Sequence, residues 1–406
     1  MQPLDPVILE PPTLSSQSEA EDPRTLPDLP PVPDASTDDI PPDSRAIVTT
    51  EIADMGGAER SCLALAHWLY RQGIPSHIVC YTDKVGLERF STDPLSVVQL
   101  RPEMTALRKI RSLGRYLRSR TGAPPPLLSG YQTALHASAA GIRGFHTLMH
   151  DTPSLFSEAS RATPLKNRVK RILSDRMAAH GLRSGGTTIV TSTYLREDCR
   201  RTFGVDAAIA RMGGLPSTHS FCPHPVTGPL RMLSVSRVET NKRIDWILRA
   251  LATLEQKPYP MSAEIDWHLD IAGKGSQLAH LQALAKELGI ADRVHFQGFV
   301  TDTQLQQLYH AADLFLMPAV QGYGIPAIES LARGIPVLLH RDSGVSDILL
   351  DTPWATVLRG GEPSLAPALK QAIDSVRHGH HLSAPLPPIP TEDSWAEQVA
   401  HLCDWV

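Results

Sequence analysis

Much that would make this sequence easy to class is missing. Its five cysteines (Cys62, Cys80, Cys199, Cys222, Cys403) lie far apart with no C-x-x-C pair. That argues against a zinc knot, a dithiol redox motif or a disulfide framework, and core filling is their expected use. No apolar run approaches the roughly 18 residues that cross a bilayer. The N-terminus also lacks a basic region followed by an apolar one, so it does not read as a secretory signal and a cytoplasmic location is expected. A formal net charge of −4 excludes a generally basic nucleic-acid binder. The histidines of "RHGHHL", near residues 377 to 382, lack the spaced partners that a metal needs and read as an exposed loop.

What is present is ordinary soluble-protein bulk, 42% apolar and 20% charged over 406 residues, which suffices for two domains. Residues 1–44 are dense in Pro, Asp, Glu and Ser and read as a disordered acidic tail. From Ala46 onward short β-rich runs ("AIVTT", "SHIVCYT", "FHTLMH", "TTIVTS") alternate with stretches at helical spacing. This is the pattern of a doubly wound parallel sheet with crossover helices. A polar, Pro-containing stretch at 213–229 interrupts the pattern, which restarts at "LRMLSVS" and runs to a second Pro-rich segment, "SAPLPPIPTED". The expected organisation is therefore the tail 1–44, an N-terminal domain 45–222, a C-terminal domain 223–385, and a linker with a last amphipathic helix over 386–406. Two such α/β units in tandem leave a cleft, and ligands of open parallel sheets bind beyond the carboxyl ends of the strands.

Several segments fall at those ends. In "SVSRVETNKRID", Arg237 and Lys242 flank a turn between a strand and a helix; a guanidinium fork and an ammonium point charge suit a diphosphate, although a solvated basic loop has the same composition. In "LDIAGKGSQL", Gly273 and Gly275 bracket Lys274, and a Gly-x-Gly turn admits close approach of a phosphate or a base. The third glycine of a dinucleotide fingerprint is absent, Leu278 standing in its place, which removes most support for NAD. In "DLFLMPAVQGYGIPAIES", a strand leads through two glycines to Pro326, a residue suited to a first helical turn. Glu329, assigned to that turn, either complements the helix dipole or accepts hydrogen bonds from a diol. Gly56 and Gly57 follow the first strand, either as a tight turn or as a second glycine turn aimed into the cleft. His150 ends another strand, where a structural and a cleft role are both open.

Taken in order, Arg237 with Lys242, "GKGSQLAHLQALAKELGIADRVHFQGFVTDTQLQQLYHAADLFLMPA", "GYGIPAIESLARGIPVL" and the early "GGAER" resemble the retaining glycosyltransferases of family 4 over most of residues 46–350. The resemblance implies the GT-B fold, two Rossmann-like domains facing a cleft, and transfer of a sugar from a nucleoside diphosphate sugar (UDP or GDP type). It implies no cofactor and no required metal, and the chain has no Asp-x-Asp. By position, Arg237 and Lys242 hold the diphosphate, His150 and Gln321 lie against the sugar, and Glu329 takes the ribose. Tyr323, Gly324 and Ile325 present backbone groups, and Gly57, Gly273 and Lys274 line the donor site. The departing phosphate would help to remove the acceptor's proton.

Two departures stand out. The first of the family's two motif glutamates falls at Gln321, and the usual Asn-Gly-Val-Asp interdomain signature is replaced by "MGGLPST". An amide binds sugar hydroxyls but carries no charge, so a catalytically weak nucleotide-sugar binding protein of the same fold is the alternative to an active enzyme. Two basic helices add a location. "RPEMTALRKIRSLGRYLRSR" sets Met104, Leu107, Ile110 and Leu117 on about one face among arginines, and "PLKNRVKRILSDRMAAHGLR" repeats the theme. Such helices suit an anionic membrane surface, hence a peripheral place on the inner face of the cytoplasmic membrane and a lipid-linked glycan acceptor. Ordinary sheet-packed helices with solvated charges are the other reading.

Overall fold

The structure, a computed structural model, describes residues 40–53, 55–100, 105–150, 165–213, 221–256 and 266–406, with side chains omitted for 165–171. The expectation for the acidic tail, apart from its last few residues, and the roles given to Met104 and the basic side chains of 166–171 lie outside those residues.

The first half carries strands β1 (Arg45–Val48), β2 (Ser76–Cys80), β3 (Val97–Gln99), β4 (Leu127–Ser129), β5 (His146–Met149), β6 (Thr188–Val190) and β7 (Ala208–Ile209). Its helices are α1 (Gly57–Arg71), α2 (Ala106–Ser119), α3 (Tyr131–Ala139), α4 (Leu165–Leu182) and α5 (Thr193–Phe203). The second half has β8 (Leu230–Val235), β9 (Trp267–Ala272), β10 (Val294–Gly298), β11 (Leu314–Met317), β12 (Val337–His340) and β13 (Ala355–Leu358). Between and after these strands run α6 (Ile244–Leu254), α7 (Leu278–Glu287), α8 (Asp302–Ala311), α9 (Ile325–Leu331), α10 (Leu365–Arg377) and α11 (Glu392–Leu402).

The strands form two sheets, ordered β3-β2-β1-β4-β5-β6-β7 and β10-β9-β8-β11-β12-β13. Every pairing is parallel. Runs such as "LFLM" in β11 are buried throughout because helices cover both faces, which is why these strands read as continuous apolar runs. Strand order reverses between β1 and β4 in the first sheet and between β8 and β11 in the second. At these switch points neighbouring crossovers leave in opposite directions and open a crevice.

The last helix does not stay with the second sheet. Helix α11 packs on α1 of the first half. Trp395, Val399, Ala400, Cys403 and Trp405 join a core cluster that also contains Leu65 and Leu69 of α1. At roughly 1.5–3 kcal/mol for each fully buried large side chain, this contact is a main tie between the halves. Arg71 reinforces it with Asp393 at 2.5 Å, and Trp405 donates its indole N–H to the Pro125 carbonyl at 3.2 Å.

Two local expectations need correction. Cys222 is exposed while the other four cysteines are buried. His381 of "RHGHHL" is buried, edge-on to Trp354 and paired with the His224 carbonyl. On α2 the buried residues are Leu113, Gly114 and Tyr116, and Leu107 is 56% exposed. Gly114 allows the close approach there: a Cβ on it would sit 2.7 Å from the Ala140 methyl.

Candidate functional site

Strand β8 ends at Val235, and the chain turns outward through Arg237 because Val238 is pinned beneath it. The Val238 N–H donates to the Lys274 carbonyl at 2.9 Å, and its own carbonyl accepts from Gln277 at 3.1 Å. This fit explains the Gly-x-Gly turn after β9. A Cβ at Gly273 would lie 1.9 Å from the Ser236 carbonyl oxygen, and one at Gly275 would lie 2.1 Å from that of Val238. What the turn admits here is the neighbouring backbone, which fixes where Arg237 stands. Arg237 is exposed, and Lys274, beside it, lies 5.0 Å from the Phe299 ring. Glu239 faces the other way, taking the Ser276 N–H at 3.0 Å and its hydroxyl at 2.6 Å, bonds that hold its pKa below the usual range.

After a single 3-10 turn, Thr240–Lys242, the chain enters α6 through Arg243. Arg243 has φ of 55°, a left-handed conformation rare outside glycine and costing about 1 kcal/mol. The turn aims Lys242 across the β8/β11 switch point, where its ammonium donates to Oε1 of Gln321 at 2.9 Å. The two residues lie seventy-nine positions apart in sequence.

Beyond Gln321 the glycine loop is held by its carbonyls. That of Gln321 accepts from Gly344 N–H at 3.1 Å, and that of Tyr323 from Val345 N–H and the Ser343 hydroxyl, each at 3.1 Å. That of Gly322 accepts from the hydroxyls of Thr191 and Ser192 in the first half, at 3.2 and 3.3 Å. Gly324 has φ of 117°, and a Cβ there would strike the Met317 Cε at 2.5 Å. Tyr323 is buried with its phenol oxygen unpartnered, and burial raises its pKa.

Helix α9 starts at Ile325, so Glu329 sits in its second turn with no acid in the first. Glu329 is therefore not a first-turn partner of the helix dipole. Its carboxylate is buried and accepts from Tyr309 Oη at 2.9 Å. Burial raises its pKa, opposed by the Tyr309 bond and by the charges of Arg60 and Arg333. Arg333 spans this pair, donating to the Glu329 carbonyl at 2.6 Å, stacking 4.7 Å over Tyr309, and anchored on Gln306.

From the first half, the glycine turn after β1 faces α9: a Cβ on Gly57 would lie 3.4 Å from Ile325 Cδ1. His150, after β5, meets the Ser129 hydroxyl at 3.1 Å. The structure thus joins Lys242 to Gln321 and Gly57 to Ile325, while Glu329 is engaged inward. Sequence reasoning missed a polar clamp between the halves. Asp347 accepts from Arg211 at 3.0 Å and from the Thr193 N–H and hydroxyl at 3.1 and 2.7 Å. No period or spacing ties these positions together; only the fold does.

Two family models divide the chain. "Glycosyl transferase 4-like domain" matches residues 56–212 and "Glycosyl transferases group 1" matches residues 222–378. The chain belongs to the GT4-type glycosyltransferases. Among curated relatives, a GDP-mannose-dependent α-(1-6)-phosphatidylinositol monomannoside mannosyltransferase of Mycolicibacterium smegmatis is 30% identical over 188 residues, 42% of this chain and 48% of the relative. The α-monoglucosyldiacylglycerol synthase of Streptococcus pneumoniae is 31% identical over 169 residues, 41% and 37%. The matches thus span half or less of those relatives' length. Among solved structures, WaaG, a glycosyltransferase involved in lipopolysaccharide biosynthesis, aligns with TM-score 0.63 at 19% identity, over 88% of this chain and 99% of the other. Anabaena HepE in complex with UDP aligns with TM-score 0.65 at 14% identity, over 89% and 100%. These likenesses establish the GT-B architecture of this GT4-type chain.

Proposed function

We propose that this chain transfers a hexose from a nucleoside diphosphate sugar to a glycan acceptor, lipid-linked, with retention at the anomeric carbon. The observation that carries the reading is the Lys242–Gln321 contact, made across the switch point beside the exposed Arg237. A diphosphate lying there meets two cations as its leaving oxygen gains charge. In the step, the bond from the sugar's C1 to the phosphate oxygen breaks and a bond from C1 to the acceptor oxygen forms on the same face. The acceptor's proton passes to the departing phosphate. Glu329 takes the ribose through Oε1, and the Tyr323–Ile325 loop lies under the sugar phosphate.

Support for the acceptor's class comes from the first half. Arg108, Arg111 and Arg115 are exposed on α2 with Leu107 beside them, and α4 exposes Ile172, Leu173 and Met177. Cations around apolar side chains fit an anionic lipid surface, at about 1 kcal/mol per cation. Lys109, Arg118 and Arg120 are spent otherwise, on Glu51, the Ala140 carbonyl and the Pro41–Ser44 carbonyls. Two relatives whose names specify a phosphatidylinositol monomannoside and a monoglucosyldiacylglycerol support the same class. Among the described residues no helix is long and apolar enough to cross a membrane.

The test is a thermal-shift panel of UDP and GDP with ADP as control, followed by release of the bound nucleotide from its sugar conjugate in the presence of a cell-envelope lipid extract. A stabilising nucleotide and acceptor-dependent release are expected, both lost in Arg237→Ala. No shift with any nucleotide overturns the reading. Binding without turnover for any donor favours the second reading, a nucleotide-sugar binding protein, which the amide at position 321 supports.

A further inference from the structure

The side chain at position 321 has one orientation open to it. Lys242 has only donors to offer, so the amide oxygen must face it, as the 2.9 Å contact records. The amide nitrogen is thereby turned to the other side. No partner among the described residues accepts from that nitrogen. Gln321 is half-buried, in the loop that leads from Met317, the last residue of β11, to α9. A carboxylate at this position would offer only acceptors and a negative charge; the fixed amide offers two N–H donors and none. Of the nearby carboxylates, Glu239 is engaged by Ser276, and Glu329 has one oxygen on Tyr309 and the other assigned above to the ribose. The exposed cations Arg237 and Lys274 flank the same strand ends.

We propose that Gln321 selects a donor whose sugar carries a carboxylate, a hexuronate, with the amide N–H groups donating to that carboxylate. A sugar hydroxyl both donates and accepts and is served by either Glu or Gln. A sugar carboxylate only accepts, so it is repelled by Glu and held by Gln. The inference rests on the donor site proposed above, with the sugar lying against Gln321.

The experiment measures dissociation constants by calorimetry on the full chain and on Gln321→Glu. For each base that the nucleotide panel selects, the hexuronate conjugate is set against the hexose conjugate: UDP-glucuronate and UDP-galacturonate against UDP-glucose, or GDP-mannuronate against GDP-mannose. The wild-type chain is expected to prefer the hexuronate more than about tenfold, and Gln321→Glu to reverse that hexuronate-to-hexose ratio. Gln321→Leu, which keeps neither donor nor charge, should lose the preference without reversing it. A wild-type preference for the hexose overturns the proposal, as does a ratio that no variant moves. Failure of free UDP and GDP to bind the wild type is a different result and removes the donor site itself.

Discussion

Tyr309 on α8 donates its phenol to Oε2 of Glu329 on α9 at 2.9 Å, inside the core of the second half. Burial raises the Glu329 pKa and this bond opposes the rise. In the proposed ribose role, the ionised carboxylate is a stronger acceptor for the hydroxyls than the protonated acid. In Tyr309→Phe the opposing bond is gone, so the pKa rises further and nucleotide affinity declines at a higher pH than in the wild type as pH falls. Stability drops by about 1–2 kcal/mol as well. Nucleotide titrations from about pH 5 to about pH 8 read the shift; coincident profiles would mean that Arg60 and Arg333 alone keep the group charged.

Asp347 joins the halves through Arg211 and Thr193, and its side chain is only 19% exposed. Asp347→Ala leaves Arg211 and two donors of the β6–α5 turn without their acceptor. We expect a loss of about 1–3 kcal/mol and a more open arrangement of the two sheets, read as a larger radius of gyration in solution scattering. An unchanged radius would assign the closed arrangement to the α1–α11 contact alone.

Gly275→Ala puts a methyl 2.1 Å from the Val238 carbonyl oxygen, backbone against backbone, where nothing can swing aside. The loop carrying Arg237 has to move. Melting temperature and nucleotide affinity should fall together, the first by more than about 3 kcal/mol in free-energy terms. Full affinity in a destabilised variant would separate Arg237 from the diphosphate.

Glu392, at the start of α11, is pushed up to about 7 by burial and by the nearby Asp393 and Glu329, with Arg60 opposing. Its folded pKa lies above its ordinary 4.5. Its contribution to stability is therefore complete below that ordinary value and lost as pH rises through about 7. Partial exposure limits the effect to about 1–2 kcal/mol. Glu392→Gln should flatten the decline in chemical denaturation between mildly acid and mildly alkaline solution; an equal decline in both would place the titrating group elsewhere.

The alternation of β-rich runs and helical spacing was enough to read two parallel sheets, because strands covered on both faces carry an unmistakable apolar signature. Individual roles were less legible. Arg237, Lys242 and Gln321 stand at strand ends, and strand ends are visible in sequence; their mutual contact is not. The tyrosine in "LYHAAD" looks like one more core aromatic until the fold lays it against Glu329. Asp347, Arg211 and the Thr191–Thr193 hydroxyls escaped notice because a clamp between separate sheets leaves no local pattern. The Gly-x-Gly turn invited a phosphate, and its glycines instead make room for another loop's carbonyls. Glu329 reads one turn too early from sequence because the glycine and proline before it blur the start of the helix.

The return of α11 to α1 bears on any attempt to dissect the molecule. A fragment containing only the first sheet would lack Trp395, Val399 and Trp405, and would leave the apolar side of α1 to water. The two sheets are separable on paper but not by scissors at the crossover; an isolated acceptor half has to borrow the last helix, fused back or supplied as a peptide, to be whole.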